Sequence, residues 1–347
     1  MRCLRFLFLS FCAFFLSVVG VSAVQAQATN QDLTFFRIGT GGLGDLYTPS
    51  GAVIANAISN PPGMRACRED HNCGVPGLVA VAKSSSGSVH NIRAILSGRL
   101  DSAFVQSDIL HWAYEGEGFF YGDTPLSELR ILANLFDETI HIVTNKWAGI
   151  TTISDLKGKR INIGPINSDS NIEARLILRA FGLQVDQDYT PTDLKPAYAA
   201  DALREGRIDA FIVVTTPPSS IITSLLDENV VTLLDISGEE LTPLIEKHPF
   251  LHRVTLPAGT YGDLEALHTL ALPTYWVTTK DLNETLAYQL VRALWHAKED
   301  DTSEEAQRVL RNIARDSTYT GLNTPFHQGA RLFHAELQVL RARANPE

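Results

Sequence analysis

Two stretches of this chain repeat one another. Ala94-Ile95-Leu96-Ser97-Gly98-Arg99-Leu100-Asp101 is echoed by Ala202-Leu203-Arg204-Glu205-Gly206-Arg207-Ile208-Asp209. Each reads as the end of an amphipathic helix stopped at glycine, the residue that best tolerates the left-handed conformation just past a helix. Each then runs into an apolar, β-prone segment, Ser102 to Gln106 in one case and Ala210 to Val214 in the other. One such unit is common in α/β proteins. Two of them, separated by far more than the period of a solenoid, point to two similar halves, each with its own version of the unit.

Length agrees. The chain has 347 residues, more than the roughly 250–300 at which a single hydrophobic core stops growing. Strand-like runs at Leu33 to Ile38, Leu78 to Ala82, Arg130 to Leu135, His141 to Asn145, Arg160 to Gly164 and Leu270 to Thr278 alternate with helical spacing. The helical stretches are Pro49 to Ile58, Val89 to Leu96, Ile172 to Phe181, Asn283 to Ala297 and Ser303 to Arg315. This alternation predicts an α/β fold with parallel or mixed sheets. The last helices are expected to pack on a lobe already built.

Hydrophobic residues make up 45% and charged residues 20% of the chain, the balance of an ordinary globular protein. The net charge of −10 argues against a nucleic-acid or anionic-membrane partner, since basic patches recruit both. Arg2 and Arg5 precede an uncharged apolar run from Phe6 to Val24, which closes on Val24-Gln25-Ala26 and Ala26-Gln27-Ala28. That is the pattern of a secretory signal peptide over residues 1–28, with an uncleaved anchor helix as the alternative. A lipid anchor is not expected, because the bulky Phe11 precedes Cys12. Beyond the signal, Cys67 and Cys73 remain. In an oxidising compartment so close a pair reads as a local disulfide, contributing about 2 kcal/mol for so short a loop. With His71 the spacing also allows a metal, but too few ligands stand there, and neither a metal nor a cofactor is expected.

The sharpest local motif is Gly39-Thr40-Gly41-Gly42-Leu43-Gly44, between a strand and a helix. It fits a dinucleotide fingerprint, except that no Asp or Glu occurs from Ser59 to Met64, where the ribose-binding acid would stand. The motif still offers backbone N–H groups at a helix N-terminus, which suit any anion. Similar turns recur at Ser84-Ser85-Ser86-Gly87-Ser88, Gln106-Ser107-Asp108, Asn167-Ser168-Asp169-Ser170-Asn171 and Thr215-Thr216-Pro217-Pro218. Singly, each could simply cap a helix. Together they predict one cleft between two lobes, walled by hydroxyls and amides. No Gly-x-Ser-x-Gly elbow, His-Glu-x-x-His or phosphate-loop lysine occurs, so catalysis is not expected. His248 and His252 flank Pro249 and read as packing or capping residues; Trp112, Tyr114, Phe119 and Phe120 read as core.

The chain resembles the TAXI-type solute receptors of TRAP transporters. Gly39-Thr40-Gly41-Gly42 with Tyr47 and Pro49 is similar to that family's opening loop, and Ser86-Gly87-Ser88-Val89, Asn91 and Gln106-Ser107-Asp108 to its second block. Ile153-Ser154-Asp155-Leu156-Lys157-Gly158-Lys159-Arg160, His141-Ile142-Val143, Gly206 with Asp209, His248-Pro249-Phe250 and Pro257-Ala258-Gly259-Thr260-Tyr261 continue the series in order.

The resemblance implies a two-lobed periplasmic binding protein type II fold, with mixed sheets flanked by helices and a hinge of crossing segments near His141 and Leu270. Residues 29–140 plus 268–347 would form one lobe and 141–267 the other. It implies a periplasmic protein without enzyme activity, which delivers a small carboxylate or amino acid, such as glutamate, glutamine or a dicarboxylate, to the membrane subunits of a TRAP transporter. Ligand contacts would come from Thr40, Gly41, Gly42, Tyr47, Ser86, Gly87, Ser88, Gln106, Ser168, Ser170 and Thr216. Leu43, Asp45, Leu46 and Asp169 depart from the family pattern. Asp45 and Asp169 either select a ligand carrying an amine or face solvent. A sensory receptor of the same fold is the alternative role; an exported hydrolase using Asp108 or His141 is the more distant one.

Overall fold

The two echoing segments occupy equivalent places in a computed structural model, which describes residues 33–42, 46–63, 73–297, 309–310, 313 and 322–344. The expected signal peptide, Cys67, and most of the helix expected over Ser303 to Arg315 lie outside these residues. In chain order the elements are β1 (Thr34–Gly39), α1 (Tyr47–Ile58), β2 (Ser59–Asn60), β3 (Val75–Pro76), β4 (Leu78–Lys83), α2 (Ser88–Leu96), β5 (Ser102–Gln106), α3 (Ser107–Glu115) and β6 (Leu129–Asn145). There follow β7 (Arg160–Asn162), α4 (Asp169–Ala180), β8 (Thr190–Thr192), α5 (Pro196–Arg204), β9 (Ala210–Thr215), α6 (Ser220–Asp227), β10 (Val231–Leu234), α7 (Thr242–Lys247), β11 (His252–Leu256), β12 (Leu267–Thr279), α8 (Glu284–Ala297) and α9 (Gln328–Ala344).

Ten strands join in one mixed sheet, in the order β4-β1-β5-β12-β6-β9-β7-β8, with β10 also pairing β6 and β11 pairing β12. In its first half β4, β1 and β5 run parallel, and β12 returns antiparallel beside β5. The second half repeats this: β8, β7 and β9 run parallel, and β6 lies antiparallel beside β9. β6 and β12 belong to both halves. The front of β6 pairs with β12 from Leu129 to Thr139, and its back pairs with β9 and β10 from Thr139 to Asn145. These two long antiparallel strands are shared by both halves of the sheet, and His141 and Leu270 lie on them.

Sequence reading divides β6 into two strands, Arg130 to Leu135 and His141 to Asn145, because Asp137 and Glu138 interrupt the apolar pattern. The strand is continuous because Glu138, only 3% exposed, finds its hydrogen-bond partners inside the fold.

The echo extends to single atoms. In the first half the backbone N–H and Nε of Arg37 donate to Asp101 Oδ2 at 2.7 and 2.8 Å, and its Nη2 to Oδ1 at 2.9 Å. In the second, the backbone N–H and Nε of Arg160 donate to Asp209 Oδ2 at 2.8 and 3.0 Å, and its Nη2 to Oδ1 at 2.6 Å. Each aspartate thus ties the strand opening its half to the loop after the glycine-ended helix. Gly98 and Gly206 take the left-handed conformation, φ 69° and 66°, that lets the chain reverse there.

Three apolar clusters fill the fold. One lies under the seam where the halves meet and mixes residues of both, such as Val105 and Ile109 with Ile172 and Ile212. A second joins α1 and β1 to α8 and to Phe333 of α9, so the C-terminal helices do pack on the first half. The third lies beneath α5 and α6. Trp112 and Phe120 are core residues as expected, whereas Phe119 is exposed. His248 packs on Trp112 and Phe250, and His252 Nε2 lies 3.4 Å from Asp137 Oδ2.

Candidate functional site

The parallel strands β1, β4 and β5 end side by side, and their following turns bond to one another. The Thr40 N–H donates to the Lys83 carbonyl (2.8 Å), Ser85 Oγ and Asn91 Nδ2 donate to the Thr40 carbonyl (2.8 and 2.7 Å), and the Gln106 N–H donates to Ser88 Oγ (3.0 Å). Gly87 precedes α2 with φ +114°, a conformation that only glycine adopts without strain. A Cβ there would also press to 3.4 Å from the Asp169 carboxylate.

Asp169 comes from the other half, in the first turn of α4, where a negative charge complements the helix dipole. It accepts from Ser88 Oγ at 3.0 Å and from the Ser88 N–H at 3.4 Å. The N-termini of α2 and α4 therefore meet across the seam through one serine–aspartate contact. Beneath it, at the crossing of β6 and β12, Glu138 Oε2 receives Tyr47 Oη (2.9 Å), Gln106 Nε2 (2.6 Å) and Thr274 Oγ1 (2.8 Å). Deeper still, fully buried Asp108 of α3 and Glu173 of α4 face each other from opposite halves.

The seam is acidic, with Asp108, Glu138, Asp169 and Glu173 beside the hydroxyls and amides of the turns. Desolvation, with the neighbouring charges of Asp108 and Glu138, raises the Asp169 carboxyl well above the usual carboxylate range. Burial and Asp108 do the same to Glu173. The turns looked neutral because Glu138 and Glu173 lie within a strand and a helix, where sequence reading expects exposed acids. Their signal was an acid at an otherwise apolar register: Glu173 stands beside Ile172, Ala174 and Ile177 on a helix whose inner face is core.

The expected contact residues divide into groups. Tyr47, Ser88 and Gln106 converge on the seam with Asp169 and Glu138. Gly41 and Gly42 lie beside them, their carbonyls accepting from the Ser85 N–H (3.1 Å) and Thr48 Oγ1 (3.1 Å). Thr40 is fully buried and spends its hydroxyl on the Lys83 carbonyl at 3.0 Å. Ser168 caps α4 by accepting from the Asn171 N–H at 3.3 Å, and Ser170 Oγ accepts from the Val214 N–H at 3.0 Å. Ser86 is exposed. Gln106 Oε1 and Thr216 Oγ1 are buried acceptors without a partner in the fold. Leu43, Gly44 and Asp45 lie outside the described residues, as does Cys67 of the expected Cys67–Cys73 pair.

His141 and Tyr261 support the second half from below. Tyr261 Oη meets His141 Nε2 at 2.9 Å and accepts the Ser219 N–H at 3.2 Å, while His141 Nδ1 faces the Thr139 carbonyl at 3.1 Å. Desolvation lowers the imidazole to about 4, so it stays neutral. Among the described residues no cluster of His, Cys, Asp and Glu could hold a metal ion, and no helix is long and apolar enough to cross a membrane.

The sequence profile of the NMT1-like family matches residues 38–337, a span that takes in both halves and every seam residue above. The chain belongs to that family. Among solved structures it is similar to MatC of Rhodopseudomonas palustris with bound malate, at 12% identity over 88% of this chain and 97% of that one, with a TM-score of 0.52. It is similar also to the alkanesulfonate-binding protein SsuA from Xanthomonas axonopodis pv. citri bound to MOPS (16% identity, 91% and 96% coverage, TM-score 0.45). The periplasmic aliphatic sulphonate binding protein SsuA from Escherichia coli matches at 14% identity, with 90% and 89% coverage and a TM-score of 0.43. At such identities the likeness is one of fold, and the α/β architecture around one mixed sheet agrees with the expected fold class.

Proposed function

We propose that this NMT1-like protein is an exported solute receptor of the TAXI type, which captures a small molecule between two lobes and presents it to the membrane subunits of a TRAP transporter. The lobes are residues 29–140 plus 268–347 and residues 141–267, joined by β6 and β12. The reading rests on one observation above all. Helix N-termini from both halves converge over a crossing of just two strands, so a ligand held by both sides would close the molecule about that crossing. Capture and release need no turnover. Ser86, Gly87 and Ser88, with Thr40, Gly41 and Gly42, form the proposed first wall; Ser168, Ser170 and Thr216 belong to the second. Gln106 Oε1 and Thr216 Oγ1 are buried acceptors that a ligand's N–H or O–H groups would satisfy. The pairing of Cys67 with Cys73 is proposed as a structural disulfide outside this site.

The acids narrow the ligand within the carboxylate class. A dicarboxylate offers Asp169 only further acceptors and negative charge, which keep its carboxyl neutral, whereas an amino acid such as glutamate or glutamine adds an ammonium that would favour ionised Asp169. Its carboxylate would go to the backbone N–H groups at the start of α1 or α2. The test is a thermal-shift screen of the mature protein with glutamate, glutamine, 2-oxoglutarate, malate and alkanesulfonates. At a hundredfold excess over Kd the matching ligand stabilises the fold by about 2.7 kcal/mol. Amino acids should raise Tm, and Gln106→Ala should abolish the rise. A Tm unmoved by the whole panel refutes the assignment.

A further inference from the structure

We propose that Asp108 and Glu173 form a proton-binding site that exists only when the two halves meet, so that the molecule closes over its solute together with one proton. The proposal rests on the reading of the seam as a closing cleft. Asp108 is carried by α3, which follows β5 of the first half; Glu173 is carried by α4, between β7 and β8 of the second. Both are fully buried. Among the described residues the four carboxylate oxygens have no well-formed hydrogen bond from a donor, yet the two side chains lie within hydrogen-bonding reach of each other. Two ionised carboxylates offer acceptors only, so a contact between them can be satisfied only by a proton held between them.

The surroundings say which partner carries it. Burial raises the Asp108 carboxyl to about 6, but its place in the first turn of α3, facing its own N–H and that of Ile109, offsets part of that cost. Glu173 lies well inside α4, where burial and the charges of Asp108 and Asp169 disfavour ionisation. Glu173 is therefore the donor and Asp108 the acceptor. The nearest other ionisable groups deepen the need for a proton: Asp169 on α4 and Glu138 on β6 are acids, and the Tyr47 hydroxyl on α1 is held neutral by burial. On the elements packed against α3 and α4, His90, Arg93, Glu239, Glu240, Glu246, Lys247 and His268 face solvent. Arg175 Nε donates to Asn171 Oδ1 at 2.9 Å, and burial lowers the His248 pKa. His111, one turn along α3 from Asp108, packs its ring against Phe250.

Opening exposes both acids to water and returns them toward ordinary values. The closed form then has the raised pKa, so its advantage is complete in mild acid and lost as pH rises through the closed-form value. Closing at neutral pH takes one proton from solvent, which binds Glu173 and is returned on opening.

The test is small-angle scattering of the solute-free mature protein from about pH 5 to about pH 8. The wild type should show a radius of gyration that grows with pH. Glu173→Gln, whose amide donates to Asp108 without a titrating proton, should remain compact throughout, and Asp108→Asn serves as the second variant should the first fold poorly. A wild-type radius independent of pH, or a variant that tracks the wild type, overturns the proton site. A thermal-shift panel that fails with glutamate while the scattering titration holds would sink the solute assignment and leave the proton site standing. Where glutamate does bind, calorimetry in two buffers of different ionisation enthalpy should report uptake of about one proton per glutamate in the wild type and none in Glu173→Gln; equal uptake in both overturns the site.

Discussion

Tyr47→Phe isolates a single hydroxyl at the crossing of β6 and β12. The ring is 3% exposed and packs edge-on against Phe104 and Phe136, with centroids 5.7 and 5.9 Å away, and phenylalanine keeps those contacts. What disappears is the hydrogen bond of 2.9 Å to Glu138 Oε2, along with the hydroxyl's contact of 2.9 Å with Thr274 Oγ1. A buried hydrogen bond to a charged acceptor contributes about 1.5–3 kcal/mol, and no water can replace the donor if the site stays dry. The expected loss is of that size, seen as a Tm lower by about 3–8 °C for a chain of this class. Urea unfolding at neutral pH measures it directly. Since Tyr47 and Thr274 donate to one oxygen, Tyr47→Phe and Thr274→Val should couple by more than about 0.5 kcal/mol in a double-mutant cycle. A Tyr47→Phe protein within about 0.5 kcal/mol of wild type would show that the crossing does not depend on this clamp.

Other outcomes follow from the same contacts. His141 has a folded-state pKa of about 4, below the ordinary value, so the unfolded chain binds its proton first. Its share of stability, on the order of 3 kcal/mol, is present above about pH 6.5 and lost as pH falls toward 4; the wild type should lose more stability over that window than His141→Gln, and parallel curves would refute the assignment. The Arg37–Asp101 and Arg160–Asp209 staples sit in different halves, so the Tm decreases of Asp101→Asn and Asp209→Asn should sum in the double variant. A clear departure from the sum would mean that the halves do not carry independent staples. Ser88→Ala removes the hydroxyl that meets Asp169 across the seam, and solute-free scattering should then show a larger radius of gyration than wild type; an unchanged radius would mean that this contact does not hold the halves together.

The sequence by itself determined the duplicated architecture. Gly98 and Gly206 stop their helices because a left-handed residue is needed where each helix ends and glycine supplies it most readily, and apolar runs such as Ser102 to Gln106 can only be strands buried on both faces. Those are local requirements, written in consecutive residues. The turns at Gly41, Ser88 and Gln106 were legible for the same reason, since glycine and serine mark strand-to-helix junctions whatever lies opposite. What only the tertiary structure decided is the character of the seam. Glu138 and Glu173 look like solvent-facing acids along the chain, and the arginine partners of Asp101 and Asp209 stand 64 and 49 residues from them. A carboxylate's cost depends on which donors or which other carboxylates meet it, and those groups arrive from strands and helices far along the chain. So spacing disclosed where strands hand over to helices, and only the meeting of the two halves set the charge of the seam between them.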